Sequence, residues 1–369
     1  MKMQRMKSDG ADRTPKVLYV ASTSSHLKRF HQPYIEALKS DLKVFTMANG
    51  DGVDFHVPFQ KSFFSQKNFG AIWTIHRILR RERFDAVILN TSLAAFLVRV
   101  AMIGMRRRPS VLNIVHGYLF DVPFKGKKDR LMLLCERFTA RYTDEIAVMN
   151  EADLKIAEEY RLAKGKIHFI RGMGYTLDRK CIETDSALRE SIAPAHEVLL
   201  SFVGELSTRK NQSFLIRCVH KLRAKGIPVR LMLVGEGSER EALEVQIKEL
   251  GLTDSVILLG NCEPVLPYLA ITDLYVSASR IEGLPFNVME AMACGLPMIL
   301  SDCKGQTDLL ACDANRLYPI GDEDTFCRLV QQALETDCLG VGSTQYKALE
   351  TYTLDSVFHE NLNIMKGFF

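Results

Sequence analysis

Four side chains in the second half of the sequence have the types and spacing that binding a phosphorylated ligand requires. Arg209 and Lys210 follow the apolar run Val198–Val203 and the turn Gly204-Glu205-Leu206-Ser207-Thr208, just before a helical pattern begins. A guanidinium grips a diphosphate bidentately, and an ammonium acts on it as a point charge. Two cations at a helix start oppose the helix dipole, so a bare surface pair there lacks a local reason. Glu282 and Glu290 stand eight positions apart, the first in a Gly/Pro turn and the second on the helix that follows. The N–H groups opening that helix suit an anion or ligand hydroxyls. The plainer alternative is one capping glutamate and one facing solvent. In the first half, His116 ends the apolar run Val111–Val115, where a histidine serves either a ligand or the local structure.

These residues need a scaffold that delivers loops to one edge. Apolar runs at Val17–Ala21, Leu42–Ala48, Phe84–Leu89, Val111–Val115 and Asp144–Met149 read as strands, the last of them closing the first domain. Helical patterns at Phe69–Arg80, Leu93–Met102 and Glu151–Arg161 lie between or after them. A second series runs through Val198–Val203, Val229–Val234, Val256–Asn261, Asp273–Ser277, Met298–Ser301 and Leu317–Tyr318, with helices at Ser213–Lys225 and Asp322–Leu334. Strand and helix alternate in both series, which defines a doubly wound α/β architecture with ligands at the C-terminal lips of parallel strands. Gly172 and Gly174 mark a joint. The expected division is a leader at 1–14, a first domain at 15–175, a linker at 176–194, a second domain at 195–352 and a C-terminal helix within 353–369.

A chain of 369 residues and 41.7 kDa has room for two such cores. Its nine cysteines include no close C-x-x-C pair, so reduced core thiols are expected rather than a metal site or a disulfide frame. No apolar run reaches the roughly 18 residues that span a bilayer, and the leader lacks a signal-peptide core, so a cytoplasmic protein is expected. The net charge of +4 conceals an asymmetry: residues 1–190 carry 33 Lys/Arg and 21 Asp/Glu, the rest 15 and 23. The basic half contains Arg106-Arg107-Arg108 and then Lys125, Lys127, Lys128 and Arg130 beside Leu131–Leu134 and Phe138. Cations beside exposed apolar residues suit an anionic membrane surface, each contributing ~1 kcal/mol near it.

The stretch Ser279–Pro297, with its Glu282-x7-Glu290 spacing and its Ala291-Met292-Ala293-Cys294-Gly295-Leu296-Pro297 tail, resembles the signature of retaining family-four (group 1) glycosyltransferases of the GT-B fold. The pattern His26-x4-His31-x-Pro33-Tyr34 is similar to the opening of capsule and exopolysaccharide glycosyltransferases, although the Gly-Gly pair usual after the first strand is missing. The resemblance implies two facing Rossmann-like domains with parallel sheets and a final helix crossing back to the first. It implies a nucleotide-sugar donor, UDP-linked by preference, on the second domain, and a lipid-linked saccharide acceptor on the first. Catalytic roles fall on His116, Arg209, Lys210 and Glu282. Donor contacts fall on Gly204, Arg209, Lys210, Gly235, Asn261, Cys262, Glu282, Gly283, Leu284, Phe286 and Glu290. Acceptor-side contacts fall on Ser25, His26, His31 and Tyr118.

No cofactor or metal is expected, because there is no Asp-x-Asp group and the two cations stand where another fold uses a divalent ion. Nor is a nucleic-acid partner expected. The implied product is a surface polysaccharide made at the inner face of the plasma membrane. A nucleotide-sugar epimerase and a non-catalytic sugar-nucleotide-binding protein use the same scaffold. The paired glutamates argue against the first, and intact Arg209, Lys210, Glu282 and Glu290 argue against the second.

Overall fold

The computed structural model describes residues 14–60, 65–124, 126–176, 184–309, 316–335 and 349–369. Lys125, most of the expected leader and residues 177–183 of the expected linker lie outside the described residues. The chain divides into one unit that runs up to Gly174 and includes Leu354–Phe369, and a second unit, Tyr175–Thr353.

The first unit holds β1 (Lys16–Thr23), β2 (Lys43–Asn49), β3 (Phe55–His56), β4 (Ala86–Asn90), β5 (Ser110–Val115), β6 (Glu145–Val148) and β7 (Ile167–Phe169). They form one parallel sheet in the order β3-β2-β1-β4-β5-β6-β7. Val17–Ala21 are fully buried, as an unbroken apolar run must be when helices cover both faces. The first domain does not close with Asp144–Met149: β7 pairs beyond it, and a run of three residues is too short to show a period in the sequence. Arg108, read as part of the basic run Arg106-Arg107-Arg108, is tied through Nη1 and Nη2 to both carboxylate oxygens of Asp144, beside the β5–β6 pairing.

The helix Leu354–Gly367 packs in this first unit. Asn361 Nδ2 donates to Tyr34 Oη and to the Gly172 carbonyl, and Phe358 lies on the Tyr34 ring. A buried amide satisfied at both contacts fixes the helix in register as well as in place.

The second unit holds β8 (Val198–Val203), β9 (Val229–Val234), β10 (Val256–Gly260), β11 (Leu274–Ser277), β12 (Met298–Ser301) and β13 (Leu317–Tyr318), parallel in the order β10-β9-β8-β11-β12-β13. Its core packs Phe214, Tyr318 and Phe326 against Leu231, Val276 and Ile299. Within the stretch expected to be a linker, Ser186–Ile192 is a helix capped by Asp185, and Ile192 packs on Leu199 and Met232. Arg189 holds it there through Asp273 and the carbonyls of Ala193 and Glu197. In each sheet the strand order reverses beside the first strand, between β1 and β4 and between β8 and β11. Loops leaving such neighbouring strands diverge and open a crevice at the lip.

Candidate functional site

The second-unit lip is assembled from the loops after β8 and β11. At the end of β8 the chain presses against the end of β9: a Cβ on Gly235 would sit 2.1 Å from the Gly204 carbonyl oxygen, and Gly235 has a φ of +140°. Only glycine fits there. The β8 loop then turns through Ser207–Asn211, where Asn211 takes the left-handed conformation and the helix Gln212–Ala224 begins. The Gln212 side chain pins the loop, donating to the Glu205 carbonyl and accepting from Ser207 N–H. Arg280 ties the β11 loop to it, its N–H donating to the Arg209 carbonyl and its Nη2 to Asn211 Oδ1.

Between these loops stands Glu282. Lys210 Nζ donates to its Oε1 at 2.6 Å, and Arg209 Nη1 donates to its Oε2 at 3.0 Å and to the Ile281 carbonyl at 3.1 Å. Glu282 is 6% exposed, so it is not a solvent-facing glutamate, and neither is Glu290 at 8%. Burial pushes the Glu282 carboxyl upward, but Lys210 and Arg209 outweigh it and hold the group below the usual carboxylate range. Both Arg209 contacts run through Nη1, and its side chain is 38% exposed. This trio is therefore a cationic site with one carboxylate shared by two cations.

The helix Phe286–Ala293 carries the rest. Asn287 Nδ2 donates to the Val203 carbonyl and to Tyr275 Oη, linking it to both β8 and β11. Burial raises the Tyr275 phenol well above its ordinary value, with the charges of Glu290 and Glu282 adding to it. Burial and Glu290 likewise push the Cys294 thiol up to about 12, leaving it a neutral core thiol. The Gly283 backbone is met by Gly305, where a Cβ would stand 2.4 Å from the Gly283 carbonyl oxygen at a φ of +82°. Beneath the loop, Gln306 Nε2 donates to Ser277 Oγ at 2.6 Å and Ser301 Oγ to the Ser279 carbonyl at 2.6 Å.

Of the expected donor residues, Gly204, Gly235, Arg209, Lys210, Glu282, Gly283 and Leu284 fall in these abutting loops. Glu290 and Phe286 lie on the helix behind them, Phe286 with its ring 6.3 Å from Tyr175. Asn261 is exposed and Cys262 half-buried on the loop after β10, which Gly235 meets through its N–H to the Gly260 carbonyl. The sequence reading missed Tyr275, Asn287, Arg280 and Gln306. Asn287 had a signal, an amide in the first turn of the helix that carries Glu290. The others act through hydrogen bonds to partners that only the fold brings near, and have none.

In the first unit, His26, His31 and His116 converge at the lips of β1 and β5. His31 Nε2 lies 3.1 Å from His116 Nε2 and 3.4 Å from His26 Nε2, and His31 Nδ1 lies 3.0 Å from Tyr19 Oη. Burial lowers all three imidazoles, His26 to about 4 and His31 and His116 well below the ordinary value with help from the neighbouring histidines, so the cluster is neutral at pH 7. Ser25 is exposed nearby in sequence and donates to Thr23 Oγ1. Tyr118, read as an acceptor-side contact, is a core residue: it is 2% exposed, stacks on Phe120, and its N–H donates to Asp153 Oδ2. A tyrosine two positions past His116 looks surface-bound in sequence, but the chain folds it inward.

The comparisons with known proteins agree with this geometry in class. Residues 19–172 match the model of the Glycosyl transferase 4-like domain, and residues 185–348 match that of Glycosyl transferases group 1. The chain is therefore built of a glycosyl transferase 4-like domain followed by a group 1 glycosyl transferase domain. Among its relatives is EpsD of Bacillus subtilis, itself assigned only provisionally as a glycosyltransferase, 29% identical over 86% of this chain and 87% of that protein. Another is the Escherichia coli UDP-Gal:alpha-D-GlcNAc-diphosphoundecaprenol alpha-1,3-galactosyltransferase, 24% identical over 75% of this chain and 73% of the relative. Among solved structures, HepE of Anabaena in complex with UDP and glucose superposes with a TM-score of 0.75 at 18% identity, covering 96% of this chain and all of that one. The sucrose-phosphate synthase of Thermosynechococcus elongatus does so at 0.77 and 15% identity, over 96% and 98%. The fold is therefore GT-B, with two parallel-sheet Rossmann-like domains.

Proposed function

We propose that the protein is a retaining glycosyltransferase that moves a sugar from a UDP-sugar to a lipid-linked saccharide in surface-polysaccharide synthesis. The observation that carries this reading is the buried Glu282 carboxylate shared by Lys210 and Arg209 at the β8–β11 switch point. The donor is argued from HepE, which was solved with UDP and with UDP-glucose, and from the E. coli relative's UDP-galactose. The acceptor is argued from that relative and from a Campylobacter jejuni enzyme named for a diphospho-undecaprenol acceptor, 32% identical over 41% of this chain and 40% of its own length.

In this reading Arg209 and Lys210 take the two phosphates and stabilise the departing diphosphate, where negative charge develops. Two fixed cations at the diphosphate do the work of a divalent ion there. Glu282, already held by the same cations, accepts hydrogen bonds from donor-sugar hydroxyls. The N–H groups at Gly283 and Leu284 face the same phosphates. Glu290 accepts from the ribose, the loops at Gly235, Asn261 and Cys262 hold the base, and Phe286 borders the sugar. His116 orients the reacting sugar, with Ser25, His26 and His31 on the acceptor side.

The helix Lys127–Ala140 supplies a membrane-facing surface for a lipid-linked acceptor. Leu131, Leu134 and Phe138 are 42%, 59% and 53% exposed at helical spacing, among Lys127, Lys128, Arg130 and Arg137. Among the described residues no helix is long and apolar enough to cross a membrane. Docking of this kind would place the protein on the inner leaflet, and its co-sedimentation with vesicles should rise when anionic lipid replaces neutral lipid.

The test is incubation with a panel of nucleotide sugars and an undecaprenyl-diphosphate-linked saccharide. The expected result is sugar transfer from a UDP-sugar, with the anomeric configuration of the donor kept in the product. Conversion of the nucleotide sugar without acceptor would favour an epimerase, and protection against thermal unfolding without turnover would favour a binding protein. Either result overturns the proposal.

A further inference from the structure

The imidazoles of His26, His31 and His116 meet more closely than the separate sugar and acceptor contacts proposed for them require. His26 and His31 are five residues apart, and in an α-helix their side chains would point about 140° from each other. Here the chain from Leu27 to His31 is a π-helical turn, whose i→i+5 winding brings residues five apart toward one face. Thr23 caps the short helix Ser24–His26 through His26 N–H, which fixes where that turn begins. His116 enters from the lip of β5.

The ring nitrogens meet Nε2 to Nε2 to Nε2. His31 Nε2 faces two other nitrogens at 3.1 and 3.4 Å, and the ligand atoms of all three residues lie within 4.8 Å of one another. A neutral imidazole has one N–H and one lone pair. As a donor, His31 Nε2 satisfies one neighbour and turns its proton from the other; as an acceptor, it offers one lone pair to two. No distribution of the trio's own protons satisfies both contacts of the buried His31 Nε2 fully, where polar groups are ordinarily paired.

A metal ion satisfies them together. A tetrahedral site with Zn–N of about 2.0–2.1 Å has ligand nitrogens about 3.3–3.4 Å apart, close to the two short separations here. Tyr19 supplies the outer contact that ligating imidazoles usually have, its fully buried Oη standing 3.0 Å from His31 Nδ1. We propose that His26, His31 and His116 bind one divalent transition-metal ion, zinc by preference, through their Nε2 atoms, with a fourth position open to water or a ligand hydroxyl. The expectation that no metal is used was argued for the diphosphate, where Arg209 and Lys210 stand. It does not bear on this cluster, which belongs to the other unit. With the ion in place, the orienting role proposed for His116 is exerted through the ion, whose fourth position meets the hydroxyl.

The test is equilibrium dialysis of the chelator-stripped full-length protein against zinc, and then against cobalt, whose visible absorption reports tetrahedral nitrogen coordination. The expected result is one ion per chain and a tetrahedral cobalt spectrum, with affinity reduced at least ~100-fold in His116→Ala and in His26→Ala, and ~10–100-fold in Tyr19→Phe. His26 is only half-buried, so His26→Ala keeps the test decisive should a variant of fully buried His31 fail to fold. His168→Ala, at a histidine bonded to Glu145, should bind as the wild type does. Failure of the wild type to retain zinc, or wild-type affinity in His26→Ala or His116→Ala, would overturn the proposal.

Discussion

Each half of the molecule buries a glutamate against a guanidinium, and the two pairs are finished differently. In the first unit Arg99 is fully buried, and its Nη2 donates to both oxygens of Glu136, at 3.1 and 2.9 Å. Its Nε donates to the Ala95 carbonyl and its Nη1 to Thr143 Oγ1. One cation meets one anion, and protein groups occupy every nitrogen. In the second unit the Arg209 contacts use one nitrogen, part of the side chain reaches solvent, and Glu282 is divided between two cations. A buried pair that closes on itself is structural, because uncompensated charge in the interior is costly. A cluster that keeps an excess positive charge and an exposed guanidinium edge is suited to receive an anion.

The contrast can be broken from either side. Arg99→Ala strands Glu136 in the core and should cost about 3–5 kcal/mol of folding stability. In a thermal or denaturant unfolding series, a wild-type midpoint for that variant would show that the closed pair is not structural. Lys210→Ala should act on turnover: sugar transfer is expected to fall ~10²-fold or more, about 2.7 kcal/mol in the barrier, as for loss of one transition-state donor. Glu290→Gln should lose a similar factor if the ribose contact proposed for it is made. Near-wild-type transfer rates in either variant would remove that residue from the site.

The same contrast marks what could be read before folding. Arg209, Lys210 and Glu282 stand out because they sit in loops whose neighbours, Gly204 and the Gly283-Leu284-Pro285 turn, punctuate strongly periodic runs, and Glu290 because it lies on the helix that follows at once. Those runs also gave most of the strands to within a residue or two. The Arg99–Glu136 pair was not legible: Arg99 lies in a helix read as apolar, and its partner is 37 residues away on a helix whose packing no local pattern specifies. Tyr118 failed in the same way, since only the fold decides that it turns into the core beside Phe120. The three histidines were each visible, but their convergence was not, because it depends on a π-helical turn and on β5 running two strands from β1.

Acid sharpens the comparison within the second unit. The Glu282 carboxyl is held below its ordinary range in the folded chain, so its contribution to stability is present above an unfolded value of about 4.3 and is lost as pH falls through the lower folded value. Glu282→Gln removes this proton linkage. The stability gap between wild type and variant should be widest near neutral pH and narrow as pH drops below about 4, read from unfolding midpoints across that range. A constant gap would show that the two cations do not favour the ionised form.

The smallest effect is expected where the geometry is as short as in the Glu282 cluster but the pair is exposed to solvent. Arg217 Nε donates to Glu323 Oε1 at 2.6 Å, matching the Lys210–Glu282 distance, yet the Arg217 side chain is 45% exposed. Solvent screens such a pair and two mobile side chains must be ordered to form it, so exposed pairs contribute roughly 0–1 kcal/mol. Arg217→Ala should therefore move the unfolding midpoint by no more than about 1 kcal/mol equivalent and leave transfer unchanged. A loss as large as that of Arg99→Ala would mean that donor–acceptor distance, and not burial and completeness of hydrogen bonding, sets the strength of these pairs. The distinction drawn between the closed pair and the open cluster would then lose its physical basis.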